Sequence, residues 1–495
     1  MPNRRELAIT KYYGLNTTTA PVNLTYEATI LENLLIRNLG KLTVREGSTL
    51  LGNDTGNYRQ LGLTHWVSGA TKVQIKVENT LIQKLSTTWS TMSGAGATGL
   101  TADKDMNFCF ANGYLYGFNA TDAVRKINDT TVTTVAGIPV GSWAIWWRNY
   151  MFVGGVAAYP NRVYFSNLSD PETYSVNDWF DIEPGDGDSL TGGIALKDKI
   201  LFAKSRAWYY MTGSGTNTFA IYPITYDFGA CSYRSIINFG NDIWCVDMEG
   251  RIRSVLRNQY GLFNGQDMSE DLNGTLATIN KSELHNVCAG EKDGYLLFAV
   301  PTGSATTNTM ILCYDNDAPV ANGKSKWSTF TGWYPSVFDS FDEQLYFGEG
   351  RADGKVYSWS GNTDNGTAIA CHWRGAQLEI DSEGQKKRFL MLKWFAFPLG
   401  NYNATITASI DEQSFGTLGS FNLSPTSPLW GDVGAVWGTG VWGVTGAIRD
   451  TFHYSTGGRV IGTKVQNDLV YGSSNGQAEF GTHSIYYEVK RFRPE

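Results

Sequence analysis

A polar turn followed by a short aromatic-rich apolar strand recurs six times through the middle of this chain, and that recurrence limits the fold more than any other feature. The copies are Asn112-Gly113-Tyr114-Leu115-Tyr116, Arg148-Asn149-Tyr150-Met151-Phe152, Asp198-Lys199-Ile200-Leu201-Phe202, Asn241-Asp242-Ile243-Trp244-Cys245, Asp293-Gly294-Tyr295-Leu296-Leu297-Phe298 and Asp342-Glu343-Gln344-Leu345-Tyr346-Phe347. Their central residues, 115, 151, 201, 244, 297 and 346, are separated by 36, 50, 43, 53 and 49 positions. Most copies are followed by a second turn and strand, as at Asn161–Phe165, Glu249–Arg253 and Asp353–Tyr357. Asn-Gly and Asp-Gly steps between apolar runs signal tight hairpins. A unit of about 45 residues holding two hairpins is one four-stranded propeller blade. The sequence therefore predicts an all-β protein built around a β-propeller. Six blades are expected, with the strand pair near Lys72–Leu85 closing the ring, and seven are allowed. An ordinary β-sandwich with coincidental spacing is the rival reading.

Composition agrees. Of 495 residues, 55 are Gly and 13% are aromatic (16 Trp, 26 Tyr, 24 Phe), which favours strands and tight turns over long helices. With 42% hydrophobic and 18% charged residues the chain can bury a large core. The repeat spans 61–366. Before it, 1–60 reads as an N-terminal arm and propeller-docking segment, with a short helix near Tyr26–Leu35. After the Gly/Asn/Asp-rich stretch Ser360–Thr367 the rhythm changes, and 367–495 reads as a β-sandwich domain with long strands such as Ser484–Lys490. That domain carries a Gly-rich loop with Trp430-Gly, Trp437-Gly and Trp442-Gly. These three tryptophans are candidate intersubunit contacts, since Trp is enriched at interfaces; a sugar-binding face and packing on their own domain are the alternatives.

Charge and motifs exclude more than they assign. Forty Lys+Arg against 47 Asp+Glu give a net charge of −7, the wrong sign for a protein that grips nucleic acid through its phosphates. The first residues lack the apolar core of a secretory signal, and windows such as Phe389–Leu399 are too short to span a bilayer, so no membrane insertion is expected. Six scattered cysteines (109, 231, 245, 288, 313 and 371) form no CxxC pair and read as buried thiols made in a reducing compartment. The five histidines (65, 285, 372, 453 and 483) show no zinc spacing. Asp186-Gly187-Asp188 and Asp315-Asn316-Asp317 lack the remaining ligands of a calcium loop and read as turns. There is no GxSxG elbow and no phosphate loop, and no spacing singles out a glycosidase carboxylate pair. Asn-x-Ser/Thr sites, including Asn16, Asn119 and Asn167, read as turns. No catalytic residue, metal site or cofactor is predicted, and the chain is expected not to be an enzyme.

Three stretches resemble the tail nozzle (packaged-DNA stabilisation) proteins of short-tailed bacteriophages. They are Gly14-Leu15-Asn16-Thr17 with Glu32-Asn33, Gly40-Lys41-Leu42 and Arg45-Glu46-Gly47; the run Arg162–Ser166, Asp170–Glu172, Trp179–Ile182, Gly185–Asp188, Ile194–Phe202 and Ala207–Tyr210; and the Trp-Gly loop with Ser484–Lys490. The resemblance implies a structural virion protein, made in the bacterial host cytoplasm and located in the short tail. It would form a homohexameric ring that contacts portal-adaptor proteins and tail fibres or spikes. Genomic DNA would pass through the lumen without sequence-specific binding, be retained there, and be released on ejection. A tail-tip glycan- or receptor-binding protein and, less favoured, a propeller glycosidase are the alternatives.

Overall fold

In the computed structural model, residues 4–37, 41–255, 258–259, 262–263, 266–319, 321, 323–381, 384–397, 403–422, 448–454, 460–473 and 478–489 are described. Among them the one α-helix is the single turn Asn273–Leu276, and no helix is long and apolar enough to cross a membrane. The protein is all-β.

Five of the six sequence units form a four-stranded antiparallel array, at 107–135, 143–181, 190–225, 237–267 and 288–330, and the sixth, 335–359, supplies three strands of another. The central residues of the repeat all fall on the second strand of their sheet. These strands are apolar without alternation because both their faces are covered by neighbouring blades; Tyr150–Gly154 and Tyr295–Val300 are buried throughout. The turns behave as their residues require. Asn112 and Gly113 have φ of 49° and 81°, and Arg148 and Asn149 have 49° and 62°, the doubly left-handed geometry that matches strand twist.

The strand pair at Lys72–Leu85 belongs to a sheet of its own, 60–91. The innermost strands touch in cyclic order, Gln60–Ser68 to Asn107–Ala111, Trp143–Trp147, Leu190–Leu196, Ile237–Phe239, Cys288–Lys292, Pro335–Phe341 and back to Gln60–Ser68. The ring therefore counts seven four-stranded sheets, the larger number that the sequence allowed. We number them blades 1 to 7, beginning with 60–91. Each contact between successive blades has its own apolar cluster, that between blades 5 and 6 merging with the core of the second domain. Closure is by exchange of ends. The outer strand of blade 7 is Ser48–Leu50, which precedes blade 1 in sequence and pairs antiparallel with Val356–Trp359.

The C-terminal domain is a two-sheet sandwich, but it is not made from 367–495 alone. One sheet holds Lys387–Phe397 and Glu479–Val489 with Ile448–His453, Val460–Gly462 and three N-terminal strands, Arg4–Ile9, Leu34–Leu35 and Leu42–Val44. The other holds Ile369–Arg374, Lys464–Ser473, Asn403–Ile410 and Gly416–Asn422, joined by Ile30–Glu32. The short helix expected at Tyr26–Leu35 is thus two short strands. Left-handed Asn33 (φ 57°) stands between them, a backbone conformation through which no right-handed helix can continue. Likewise the 1–60 segment, expected as a docking arm, is an integral part of both domains. Ile30–Glu32 also pairs, in parallel, with the outer strand of blade 6 at Glu32 and Thr329, giving one continuous ten-stranded sheet. Leu392, Trp394, Phe480 and Ile485 meet Ile406, Leu469 and Tyr471 in the sandwich core.

Candidate functional site

The axis of a propeller is where its inner strands converge. Here Arg234, just ahead of blade 5, bridges several of them. Its Nε donates to Asn107 Oδ1 (3.0 Å), Nη1 to the Ser336 carbonyl (3.2 Å), and Nη2 to the carbonyls of Met106 (3.0 Å) and Leu61. One guanidinium so ties the start of blade 5 to blades 1, 2 and 7. Asp105 lies 3.4 Å from Arg234 Nη1 and also pairs with Arg59. A hollow of about 260 Å³ lies along the inner strands, lined by Thr64, Asn107, Ile194, Arg234, Ala289 and Asp339. That is below the roughly 300–1,000 Å³ usual for ligand clefts.

The seam between blades 7 and 1 is polar too. Asp339 accepts from Gln74 Nε2 (2.8 Å) and bonds His65 Nδ1 (3.1 Å), whose ring stacks on Phe341. Fully buried Lys76 donates to Asp54 Oδ2 (2.6 Å) and Glu78 Oε2 (2.7 Å), and Glu78 accepts the Asn57 amide (3.0 Å). The triad pins the loop after the closing strand onto blade 1.

A third polar node joins ring to sandwich. Arg45, with no exposed surface, donates to Asp364 Oδ1 and Oδ2 (3.0 and 2.7 Å), Asn33 Oδ1 (2.8 Å) and the Thr331 carbonyl (2.8 Å). Trp333 Nε1 also donates to Asp364 (2.7 Å), and the guanidinium lies 4.3 Å from the Trp333 ring centroid. The Gly/Asn/Asp-rich stretch read as a domain boundary therefore supplies Asp364 to this joint. Gly47 is required beside it, since a Cβ there would sit 2.0 Å from the Thr363 carbonyl oxygen. A hollow of about 380 Å³ adjoins the node, lined by Tyr334, Phe347, Glu349, Arg351, Tyr357 and Asn365. Its charges are also paired, Arg351 Nε donating to Glu349 Oε1 at 2.9 Å; burial pushes the Glu349 carboxyl up.

The structure engages the other residues of interest in the same local way. Asp186 takes Lys204 (2.6 Å), while Asp188 accepts from Ser205 Oγ (2.5 Å) and the Arg206 amide (3.0 Å), so Asp186-Gly187-Asp188 is a turn. Asp315 holds Arg37 (2.8 Å). Asn16 and Asn119 are buried turn residues, each accepting two backbone amides. Among the described residues no three His, Cys, Asp or Glu side chains are grouped to hold a metal. All six cysteines are buried thiols, and burial pushes Cys109, Cys231 and Cys288 up to about 12. His372 Nε2 faces Asp468 (2.7 Å). His483 is buried in the sandwich, its Nδ1 2.9 Å from Tyr12 Oη and its ring stacked on Trp394. Burial alone drives its pKa down to about 3. Trp430, Trp437 and Trp442 lie outside the described residues.

Sequence reading missed Arg234, Lys76 and Arg45 as organising residues. Each is a single basic residue in an ordinary context, given its role by partners up to 319 positions away. At 73–77 the chain reads Val-Gln-Ile-Lys-Val, an ordinary alternation with Lys76 in the polar register, so nothing in the sequence signals its burial.

No family model matches the chain, and no curated protein matches it. Among solved structures it is similar to the extracellular domain of BT4673 from B. thetaiotaomicron, at 12% identity and TM-score 0.41 over 72% of this chain and 45% of that one. It is similar to the WD40 beta propeller domain of Doa1, at 9% identity and TM-score 0.40 over 65% and 97%. An exo-beta-1,3-galactanase from Phanerochaete chrysosporium gives 9% identity and TM-score 0.24 over 90% and 100%. The chain thus spans less than half the length of the first of these. Likeness of this degree bears on nothing the chain binds or catalyses.

Proposed function

We propose that this chain is a non-enzymatic structural protein of a short-tailed phage virion, a tail nozzle subunit that assembles as a homohexameric ring around the path of the genome. The observation that most supports this reading is where the polar side chains of the ring go. At axis and seam the charges bond across blades and stiffen the disc. A rigid disc with few open strand edges suits a wall that holds DNA under pressure. A net charge of −7 suits a wall that does not grip the duplex. Arg234 ties inner strands together at the subunit's own axis, and the conduit in this reading runs between subunits. Portal-adaptor proteins and fibres or spikes are the partners the resemblance implies.

The test is labelling of intact particles with a tag on this chain, followed by sixfold-averaged electron microscopy. Density ringed around the short tail is the expected result. Label on peripheral appendages, or sugar released from host polysaccharide by the purified chain, would replace the nozzle with a glycan-binding or glycosidase reading.

A further inference from the structure

Two surfaces at opposite ends of the molecule differ sharply in charge. The first is the rim of blades 3 and 4. From 163 to 196 the sequence holds seven carboxylates, between Asp170 and Asp188. Glu172, Asp181 and Asp186 pair with Lys126, Arg162 and Lys204, and among the described residues Asp170, Asp178, Glu183 and Asp188 are in no ion pair, so the rim keeps an acidic excess. On the same rim Tyr159, Val176, Trp179, Tyr222 and Tyr226 are exposed, Val176 at 91%. Trp179 is held in place rather than loose, its ring 3.4 Å from the Arg162 guanidinium, which Asp181 fixes at 2.8 Å.

The second surface is the face of the Lys387–Phe397 and Glu479–Val489 sheet that points away from the sandwich core. Arg4, Arg388, Lys393 and Arg449 stand there against Glu6 and Glu488, while Lys41 and Glu479 pair at one end (2.7 Å). The cations lie over rings, Arg449 4.2 Å from the Phe395 centroid and Lys393 5.0 Å from Tyr486. The sandwich is rooted on blade 6 through the shared sheet and on blade 7 through Arg45 and Asp364. In a ring of seven, blades 6 and 7 stand across from blades 3 and 4. One chain cannot bring the two surfaces together, whereas a second copy can.

We infer that the acidic, aromatic rim of blades 3 and 4 receives the basic, aromatic outer sheet of the neighbouring copy's sandwich, head to tail. The inference rests on the ring reading above. Different patches meeting in this way is the contact from which closed rings are built. Tyr, Trp and Arg are the residues that dominate binding energy at such contacts, and opposite charge sets partner choice and register.

The experiment uses the purified full-length chain and two variants with changes only at exposed positions. The first is Lys393→Glu with Arg449→Glu; the second is Val176→Lys with Asn177→Lys. Assembly is followed by light scattering and negative-stain microscopy, with thermal melting as the folding control. Wild type is expected to form rings that weaken at high salt. Each variant alone, melting like wild type, is expected to lose at least tenfold in assembly. If wild type assembles and both variants assemble equally well, the contact lies elsewhere and the inference falls while the ring reading stands. A wild-type chain that stays monomeric at every concentration and salt tested overturns both.

Discussion

The contact between blades 3 and 4 and the seam between blades 7 and 1 solve the same problem with different chemistry. The first is aromatic: Trp143, Trp147, Tyr150, Phe152, Phe165 and Phe202 pack as one cluster, with Phe152 within 6.5 Å of Phe165, Phe180 and Phe219. The second has only Leu63, Val337 and Val356 buried in its cluster, and is held by the Lys76 triad, the His65–Asp339–Gln74 group and Arg234. Apolar contact is indifferent to register, whereas a buried ion pair tolerates one geometry. Polar residues at the seam thus specify which sheets meet when the ring closes, at the place where the wrong neighbour is the main hazard.

The two chemistries separate under mutation. The largest effects are expected from Phe152→Ala and Lys76→Met. Phe152→Ala leaves a cavity and should cost about 3–5 kcal/mol, read as a loss of urea midpoint for the whole ring. Lys76→Met strands Asp54 and Glu78 side by side at low exposure and should cost a similar amount, roughly 3–5 kcal/mol. The comparison sharpens in hydrogen exchange. Lys76→Met should expose the Gln60–Ser68 amides by local opening, while Phe152→Ala should speed exchange across blades 3 and 4. If both gave the same exchange pattern, the seam would not be an independent unit.

Arg234→Ala comes next. It removes a charged donor from three carbonyls and leaves Asp105 with Arg59 alone, an expected loss of about 2–3 kcal/mol in chemical denaturation. At neutral pH the smallest effect is that of His483, which shows only on acidification. Its pKa is about 3 in the folded chain against 6.5 for an ordinary imidazole, so the unfolded chain binds the proton first. Its contribution is therefore complete above about pH 6.5 and declines as pH falls from there toward 3, with a slope of at most about 1.4 kcal/mol per pH unit. His483→Phe should flatten that part of the stability profile; an unchanged acid limb would show that another group sets it.

How much of this was legible in the sequence follows from the same contrast. Six blades announced themselves because their second strands are apolar on both faces and enter through turns that need left-handed residues. The seventh, 60–91, carries Lys72, Lys76 and Glu78 on its second strand, where it faces the polar seam, and so read as a loose strand pair. The N-terminal strands are two or three residues long, except Arg4–Ile9, too short for any periodicity, and their partners lie hundreds of positions away. Asn33 and Arg45 were noticed through resemblance, yet nothing in their own segment says that they meet Asp364. Axis and joint were invisible for that reason: a lone Arg in a sequence carries no address.

The exchange of ends sets a timetable for the chain. Leu50 waits for Tyr357, 307 residues later (357 − 50), and Arg4 waits for Glu488, 484 residues later (488 − 4). At roughly 5–20 residues per second of synthesis, the first strands spend tens of seconds on or near the ribosome without their partners. Blades 1 to 6 can form as they emerge, but the ring cannot close until Val356–Trp359 is free, nor the sandwich until Glu479–Val489 is. Contacts this far apart also make closure slow once the chain is released. Assembly of many copies is thereby held back until each one is complete, because a truncated product lacks the strands that seat its own beginning.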